Sequence, residues 1–426
     1  MLMLVIFLVL VVLICINVPI AVSLALAGVL GLLLTEGPDS LVTIALDMYD
    51  GSTKFSLIAI PMFVLAGAIM NAGGITDRLI NFVGALIGFV RGGLAMVNIG
   101  VSLFFAEISG SAVADVAAMG SILIPQMKKR GYSKELSAAV TSSSASLAII
   151  IPPSIPMILY AASANTSVEQ LFVAGVVPGL LGAGGLMGVA YIFARRYNLP
   201  TEEAFNMPRV RETFMDALPA FGLPVIILGG IFGGFVTATE AAGLAVIAAL
   251  IVSAWYRNLD FSHLKRAMLD GGMQTAVVML LVAASVLMGG FLTRAQIPQQ
   301  LAQGILDMTD KQWAILLILN FFFLVIGFFL HSAAAIILVV PIVIPLINAA
   351  GIDPVHFGLV VTLNLAIGQQ TPPVASVLIT SCAVARANIW QVSKVNVWFV
   401  AVLLAVLLLC TYVPSVPLFL VEYFYR

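Results

Sequence analysis

Charge is what this chain has least of: only 9% of its 426 residues are Asp, Glu, Lys or Arg, while 62% are apolar. Soluble domains carry about 25% charged and about 45–50% apolar residues, so water is excluded as the main solvent. Alternation of apolar and polar residues is also missing, and that excludes a porin-like barrel. Cysteine is scarce. Cys15, Cys382 and Cys410 all lie inside apolar runs, where they read as buried small hydrophobes and not as a disulfide or redox pair. The histidines, His263, His331 and His356, have no metal-ligand spacing, and HExxH, GxSxG and P-loop patterns are absent. No enzyme is indicated, and any transport energy has to come from an ion gradient. A basic face for nucleic acid is lacking as well. The first basic residue is Lys54, so the apolar start lacks the positive n-region of a signal peptide and reads as a retained span.

What is present is hydrophobic length. With a mean hydropathy of +1.14, the chain reads as an all-α polytopic membrane protein embedded in the lipid bilayer. Spans are predicted near 1–17, 19–35, 56–72, 136–160 and 168–194, then near 217–235, 238–256, 270–293, 356–384 and 395–420, separated by a polar stretch, 195–216, with four arginines. Segments 93–127 and 312–347 fit no single span. Each is apolar over about twice the length that a ~30 Å core can hold and is interrupted midway, by Ser109-Gly110-Ser111 and by His331-Ser332. Helical hairpins that enter and leave on one side fit better. Amphipathic arms precede them; in 75–90, Leu79, Phe82, Val83, Leu86 and Ile87 share a face. Such an arm can brace a moving part or be an ordinary loop helix.

The two series match at one constant offset: Pro125 meets Pro345, Gly131 meets Gly351, and Pro152-Pro153 meets Pro372-Pro373. An internal duplication is expected, with units 1–206 and 207–426. Five crossings per unit is an odd number, so the second unit must be inverted, the pattern of secondary transporters. Fifteen of the 19 basic residues fall in one set of loops, leaving Lys54, Arg294, Lys311 and Arg426 on the other side. The positive-inside rule then places both termini outside and opens hairpin 93–127 to the cytoplasm.

Polar groups inside hydrocarbon localise function. At Ser109-Gly110-Ser111 a tight turn frees carbonyls that, with two hydroxyls, form an all-oxygen set suited to a small hard cation, and the half-helix starting near Ala112 offers N–H groups to an anion. The same triplet can also be a small-residue packing motif. Pro152-Pro153-Ser154-Ile155-Pro156 interrupts one span and Gly368-Gln369-Gln370-Thr371-Pro372-Pro373 another. Each proline removes an N–H, and freed carbonyls must line a cavity or be buried in protein. Two cation sites with substrate between them are expected, and Ser142, Ser143, Ser144 and Ser146 can add hydroxyls. Thr239 and Glu240 read as N-cap and first-turn carboxylate of helix 238–256. Asp115 is a cap or a pocket residue, and His331 a proton-linked group or a polar tip.

At these motifs the chain resembles a known family. ISGSAVADVAAMGSILIPQMKKRGYSKELSAAVTSSSAS, IIPPSIPMILYAA, TATEAAGLAV and IGQQTPPVASVL are similar to the large membrane subunit of TRAP transporters, the tripartite ATP-independent periplasmic (DctM-like) family. The resemblance covers essentially the whole chain. It implies a sodium-driven elevator in a bacterial inner membrane, a separate small four-helix membrane subunit, and a periplasmic binding protein that delivers an organic acid such as a C4-dicarboxylate or sialic acid. By motif, Ser109, Gly110 and Ser111 with Pro152 match one sodium site, and His331, Ser332, Gly368 and Thr371 match another. Ser111, Asp115, Ser143, Ser144, Ser154 and Gln370 are then the substrate-pocket candidates. The chain departs from many members in having His331 and Ala333 at the second tip and Ala148-Ile149 before the first double proline. A stand-alone carboxylate symporter and an ion channel are the rival readings.

Overall fold

The computed structural model describes residues 2–16, 18–109, 111–202, 204–256 and 261–425, and among them every regular element is helical. Helices answer the sequence directly, since in hydrocarbon each backbone N–H and C=O must be paired within its own segment. The chain runs through α1 (Leu2–Cys15), α2 (Ile20–Glu36), α3 (Ser40–Ser52), α4 (Ala59–Ala72), α5 (Ile75–Ile87), α6 (Gly93–Ser109) and α7 (Ala112–Lys129). Next come α8 (Lys134–Ala145), α9 (Ile155–Ala164) and α10 (Val168–Arg196), with 3-10 turns at Phe55–Ile58 and Ser146–Ile149. After a connector follow α11 (Met207–Phe232), α12 (Ala238–Trp255), α13 (Phe261–Arg294), α14 (Ile297–Leu306), α15 (Gln312–Phe329) and α16 (Ser332–Ala349). The chain closes with α17 (Pro354–Gly368), α18 (Ser376–Ala385), α19 (Ile389–Tyr412) and α20 (Ser415–Tyr425). Eight helices among the described residues are long and apolar enough to cross a membrane.

The segments expected as hairpins are each two helices, α6–α7 and α15–α16, each running slightly past its expected end, and α15 and α16 are themselves among those eight. The expected spans 136–160 and 356–384 are interrupted at their double prolines, and the bonds Pro152-Pro153 and Pro372-Pro373 are both cis. Helices α7 and α16 keep the offset of the matched prolines at both ends, Ala112 answering to Ser332 and Lys129 to Ala349. Three local expectations need correcting. Span 395–420 stops at Tyr412, and a separate helix, α20, follows Pro414. Helix α3 was not expected, because Asp47, Asp50 and Gly51 deny that segment an apolar run. The N-cap of α12 is Thr237, not Thr239: Thr237 Oγ1 accepts from Glu240 N at 3.3 Å while Glu240 Oε2 accepts from Thr237 N at 2.9 Å. That is a capping box, whose Thr-x-x-Glu spacing points to Thr237.

The helices pack in two groups. In one, α4 lies on α12 and α13, α13 on α2 and α3, and α11 on α12. Small residues bring α2 and α13 together: a Cβ on Gly28 would fall 2.7 Å from Met288 N. In the other, α7 and α8 pack on α18, α16 on α9, α15 on α17, and α19 on α8 and α10. The arms bridge the groups, α5 lying on α11 and α6, and α14 on α13 and α16.

Candidate functional site

The two interrupted helices cross in the buried centre of the second group. Ser146 Oγ donates to Ala366 O at 3.4 Å, and residues 146 and 366 are themselves 220 positions apart, the offset at which the prolines match. Gln370, just past α17, closes the crossing. Its Oε1 accepts from Ser142 Oγ at 2.5 Å, and its Nε2 donates to Ser142 O and to the Ser146 hydroxyl. Asn396 of α19 donates through Nδ2 to Gln370 O and Oε1, both at 3.2 Å. Ser142, Ser146, Gln370 and Asn396 are all buried. Polar groups so far from water have to satisfy one another, so this cluster holds the two helices in register.

The breaks themselves are knitted locally. Ser154 caps α9, donating to Ile149 O at 2.7 Å and accepting from Met157 N at 3.4 Å. Pro152 is buried beside it. At the second break, Thr371 Oγ1 donates to Ile367 O at 3.1 Å, and Gln369 O accepts from Val377 N at 3.3 Å. Here the structure brings hairpin and break together. A Cβ added to Gly368 would sit 2.5 Å from Gly327 Cα, and Val374 N donates to Phe328 O at 3.3 Å. Two glycines are required because the α15 and α17 backbones nearly touch.

At the tips, Ser111 is the extended N-cap residue of α7, and Asp115 in the first turn is 1% exposed. Gly110 and the side chain of Ser109 lie outside the described residues. His331 is the exposed N-cap residue of α16, followed by buried Ser332. Of the serines before the first bend, Ser143 donates to its own helix at Ala139 O, 2.7 Å away. Ser144 donates to Asn98 Oδ1 at 3.1 Å and accepts from Ser102 Oγ at 3.0 Å. That hydroxyl fastens α8 to the hairpin arm α6.

Sequence reasoning missed the asparagines. Asn98 ties α6 to Thr141 at 2.7 Å, and Asn364 of α17 donates to Asn320 of α15 at 2.7 Å, which donates to Thr411 at 3.1 Å. Each hairpin arm is thus stitched to its neighbouring broken helix by a buried amide. Buried amides in apolar runs were the available signal. Two lysines were missed as well: Lys54 Nζ donates to Ala162 O at 2.7 Å and Lys128 Nζ to Ala385 O at 3.3 Å, covering the carbonyl ends of α9 and α18. At the base of the first hairpin the connector is pinned by Glu202 N to Gly88 O at 3.0 Å and by an Arg130–Glu202 ion pair at 3.1 Å. Burial beside it pushes the Tyr132 phenol up to about 12, so it stays neutral.

Two crevices separate the helix groups. One of about 300 Å³ lies between α4, α7 and α13, lined by Asn71, Ala114, Arg266, Asp270 and Gln274. The other, about 340 Å³, lies between α3, α9, α13 and α16, lined by Asp47, Lys54, Ser285, Arg294 and Ile337. Among the described residues, none of the site residues expected from sequence lines either crevice. Among the described residues, no group of three or more His, Cys, Asp and Glu could hold a metal; the breaks supply carbonyl and hydroxyl oxygens, the ligand type of a hard cation.

The family described as tripartite ATP-independent periplasmic transporter, DctM component, matches residues 7–416. Over 401 residues the chain is 41% identical to the C4-dicarboxylate TRAP transporter large permease protein DctM of Pseudomonas aeruginosa, covering 93% of this chain and 92% of that one. It is 40% identical over 368 residues to the isethionate TRAP transporter permease protein DctMQ of Oleidesulfovibrio alaskensis, covering 86% of this chain and 58% of the longer relative. In structure it is similar to the Alcanivorax borkumensis YdaH transporter, with a TM-score of 0.64, 15% identity and 89% of each chain covered. That likeness speaks to the fold alone.

Proposed function

The chain belongs to the DctM family of TRAP transporters as a large permease, a multi-pass membrane protein, and from that premise we propose that it imports a small organic acid by sodium symport. The observation that carries this reading is the buried crossing, where two interrupted helices, each stitched to a hairpin arm, meet at Ser146 and Ala366. Freed carbonyls and hydroxyls at such breaks are all-oxygen ligands for a hard cation, and half-helix N-termini can face a carboxylate. We assign one sodium site to Ser109, Gly110 and Ser111 with the Pro152 break, and another to His331 and Ser332 with Gly368 and Thr371. Substrate then sits between them, against Ser111, Asp115, Ser154 and the serines before the first bend.

The fold, the loop charge and the relatives support the rest of the reading. Helix bounds that recur at the offset of the matched prolines support two inverted units, 1–206 and 207–426. Packing in two groups, with crevices between them, supports an elevator in which α6–α10 and α15–α20 move against α1–α4 and α11–α13. Loop charge favours both termini on the periplasmic face of the inner membrane. A separate small membrane subunit and a periplasmic binding protein are the partners. Relatives named for a C4-dicarboxylate and for isethionate support an organic acid anion as substrate, with sialic acid in the same chemical range.

The test is uptake in proteoliposomes holding the chain with its small subunit and binding protein. Uptake should require a sodium gradient and both partners. Transport unaffected by removing sodium would sink the coupling, and full transport by this chain alone would favour the stand-alone symporter.

A further inference from the structure

Asn396 is a costly residue to bury. It sits in the apolar run of α19, 1% exposed, and its Oδ1 is buried without a hydrogen-bond partner among the described residues. Leucine would fill such a place without an unmet acceptor. At the matching position of the first unit the chain has Val176. What Asn396 does with its other end explains its presence. Its Nδ2 reaches the backbone O and the side-chain Oε1 of Gln370 at once, each at 3.2 Å.

The orientation of the Gln370 amide is fixed by chemistry. Its Nε2 meets Ser142 O, a carbonyl that can only accept, so Oε1 must face the donors. There are two: Ser142 Oγ from the first broken helix at 2.5 Å and Asn396 Nδ2 at 3.2 Å. Gln370 belongs to the second break, while Ser142 and Ser146 belong to the helix that leads into the first. The amide therefore bolts one break to the other, and Asn396 holds the bolt by side chain and backbone together.

We propose that Asn396 is a positioning residue for ion coupling: by fixing the Gln370 amide it locks the two helix breaks together, so that cation occupancy at one is felt at the other. This rests on the sodium-coupled reading above. A shift of the chain at one break on ion binding is passed through Gln370 to the Ser142–Ser146 turn and so to the other break. Such coupling appears as cooperativity in sodium activation.

The experiment measures uptake by the complete transporter, with small subunit and binding protein, as external sodium is varied. Unaltered protein should show sigmoidal activation. In Asn396→Ala the curve should become hyperbolic and half-saturating sodium should rise roughly five-fold, the loss of about one hydrogen bond. The substrate KM should move much less, which separates a coupling role from general loosening of the fold. Asn396→Asp should be worse than Ala, because a carboxylate would face two acceptor oxygens. If Asn396→Ala does not assemble, Asn396→Leu is read instead, since it keeps the volume and removes the same donor to Oε1. Sigmoidal activation with unchanged half-saturation in the folded variant overturns the proposal, as does hyperbolic activation of the unaltered protein. Sodium-independent uptake by unaltered protein strikes at ion coupling itself and not at Asn396.

Discussion

Helix α7 starts at Ser111 and carries a buried carboxylate, Asp115, in its first turn. Helix α16 starts at the matching position, His331, and has buried Ala335 where α7 has Asp115. A helix N-terminus is worth a partial positive charge, and Asp115 already answers it at the first tip. At the second tip no acidic residue lies in the first turn, so the free N–H groups remain available to an anion. The arms differ too. Helix α6 packs along α7, whereas α15 turns away from α16 and lies on α17 through the Gly327–Gly368 contact. Two helix pairs in matching places thus differ at their tips, the first carrying its own carboxylate and the second none.

The largest effect should come from breaking the backbone contact at the second hairpin. Gly368→Leu would drive a side chain into Gly327, where even a Cβ would stand 2.5 Å from Cα. Neither α15 nor α17 can yield without disturbing the Asn320–Asn364 link. Overpacking of this kind costs about 1–3 kcal/mol and often more against backbone. At the matching position, Ala148→Gly should cost about 0.5–1 kcal/mol or less. Thermal unfolding in detergent distinguishes the two, and equal losses would mean that the hairpins are not packed differently.

The next effect exchanges the tip chemistry. Asp115→Asn removes the negative charge from the first tip and should raise half-saturating sodium roughly ten-fold, the worth of one favourable charge contact. Ala335→Asp gives the second tip the carboxylate of the first and should reduce organic-acid uptake roughly ten-fold by repelling the substrate. Sodium activation curves and initial uptake rates read these separately. If Asp115→Asn left the sodium curve in place, Asp115 would not contribute to the sodium site at the first tip.

Much of this was legible in sequence, and the residues show why. Interrupted apolar runs such as 93–127 announced pairs of helices because no single helix of that length fits a bilayer. The double prolines announced the breaks because proline cannot donate. What stayed hidden was partnership. Ser143 and Ser144 were equal as candidate hydroxyls, yet Ser143 turns back on its own helix while Ser144 meets Asn98 from α6, and no local pattern separates them. Gln370 reads as a pocket candidate, and no local pattern names the partners it has, Ser142, Ser146 and Asn396. Helix α3 was missed because its charges break the apolar run that marks a span.

The smallest effect tests the same asymmetry at the carbonyl ends of the short helices α9 and α18. Lys128 covers α18 from α7, which packs on α18, so the two travel together in any movement. Lys54 covers α9 from the turn before α4, in the other helix group, and lines the crevice between the groups. In the elevator proposed above, a bond across that boundary is made in only one relative position of the groups. Lys128→Met should therefore lower thermal stability by about 0.3–1 kcal/mol, the usual worth of a cation at a helix C-terminus, and leave the balance of conformations alone. Lys54→Met should change that balance. Spin labels at Val42→Cys on α3 and Phe419→Cys on α20, both exposed, report the separation of the groups. The distance distribution should shift toward its minor population in Lys54→Met and stay in place in Lys128→Met. Identical distributions in Lys54→Met and unaltered protein would make the Lys54 contact an ordinary cap, with the two ends of the pair equivalent after all.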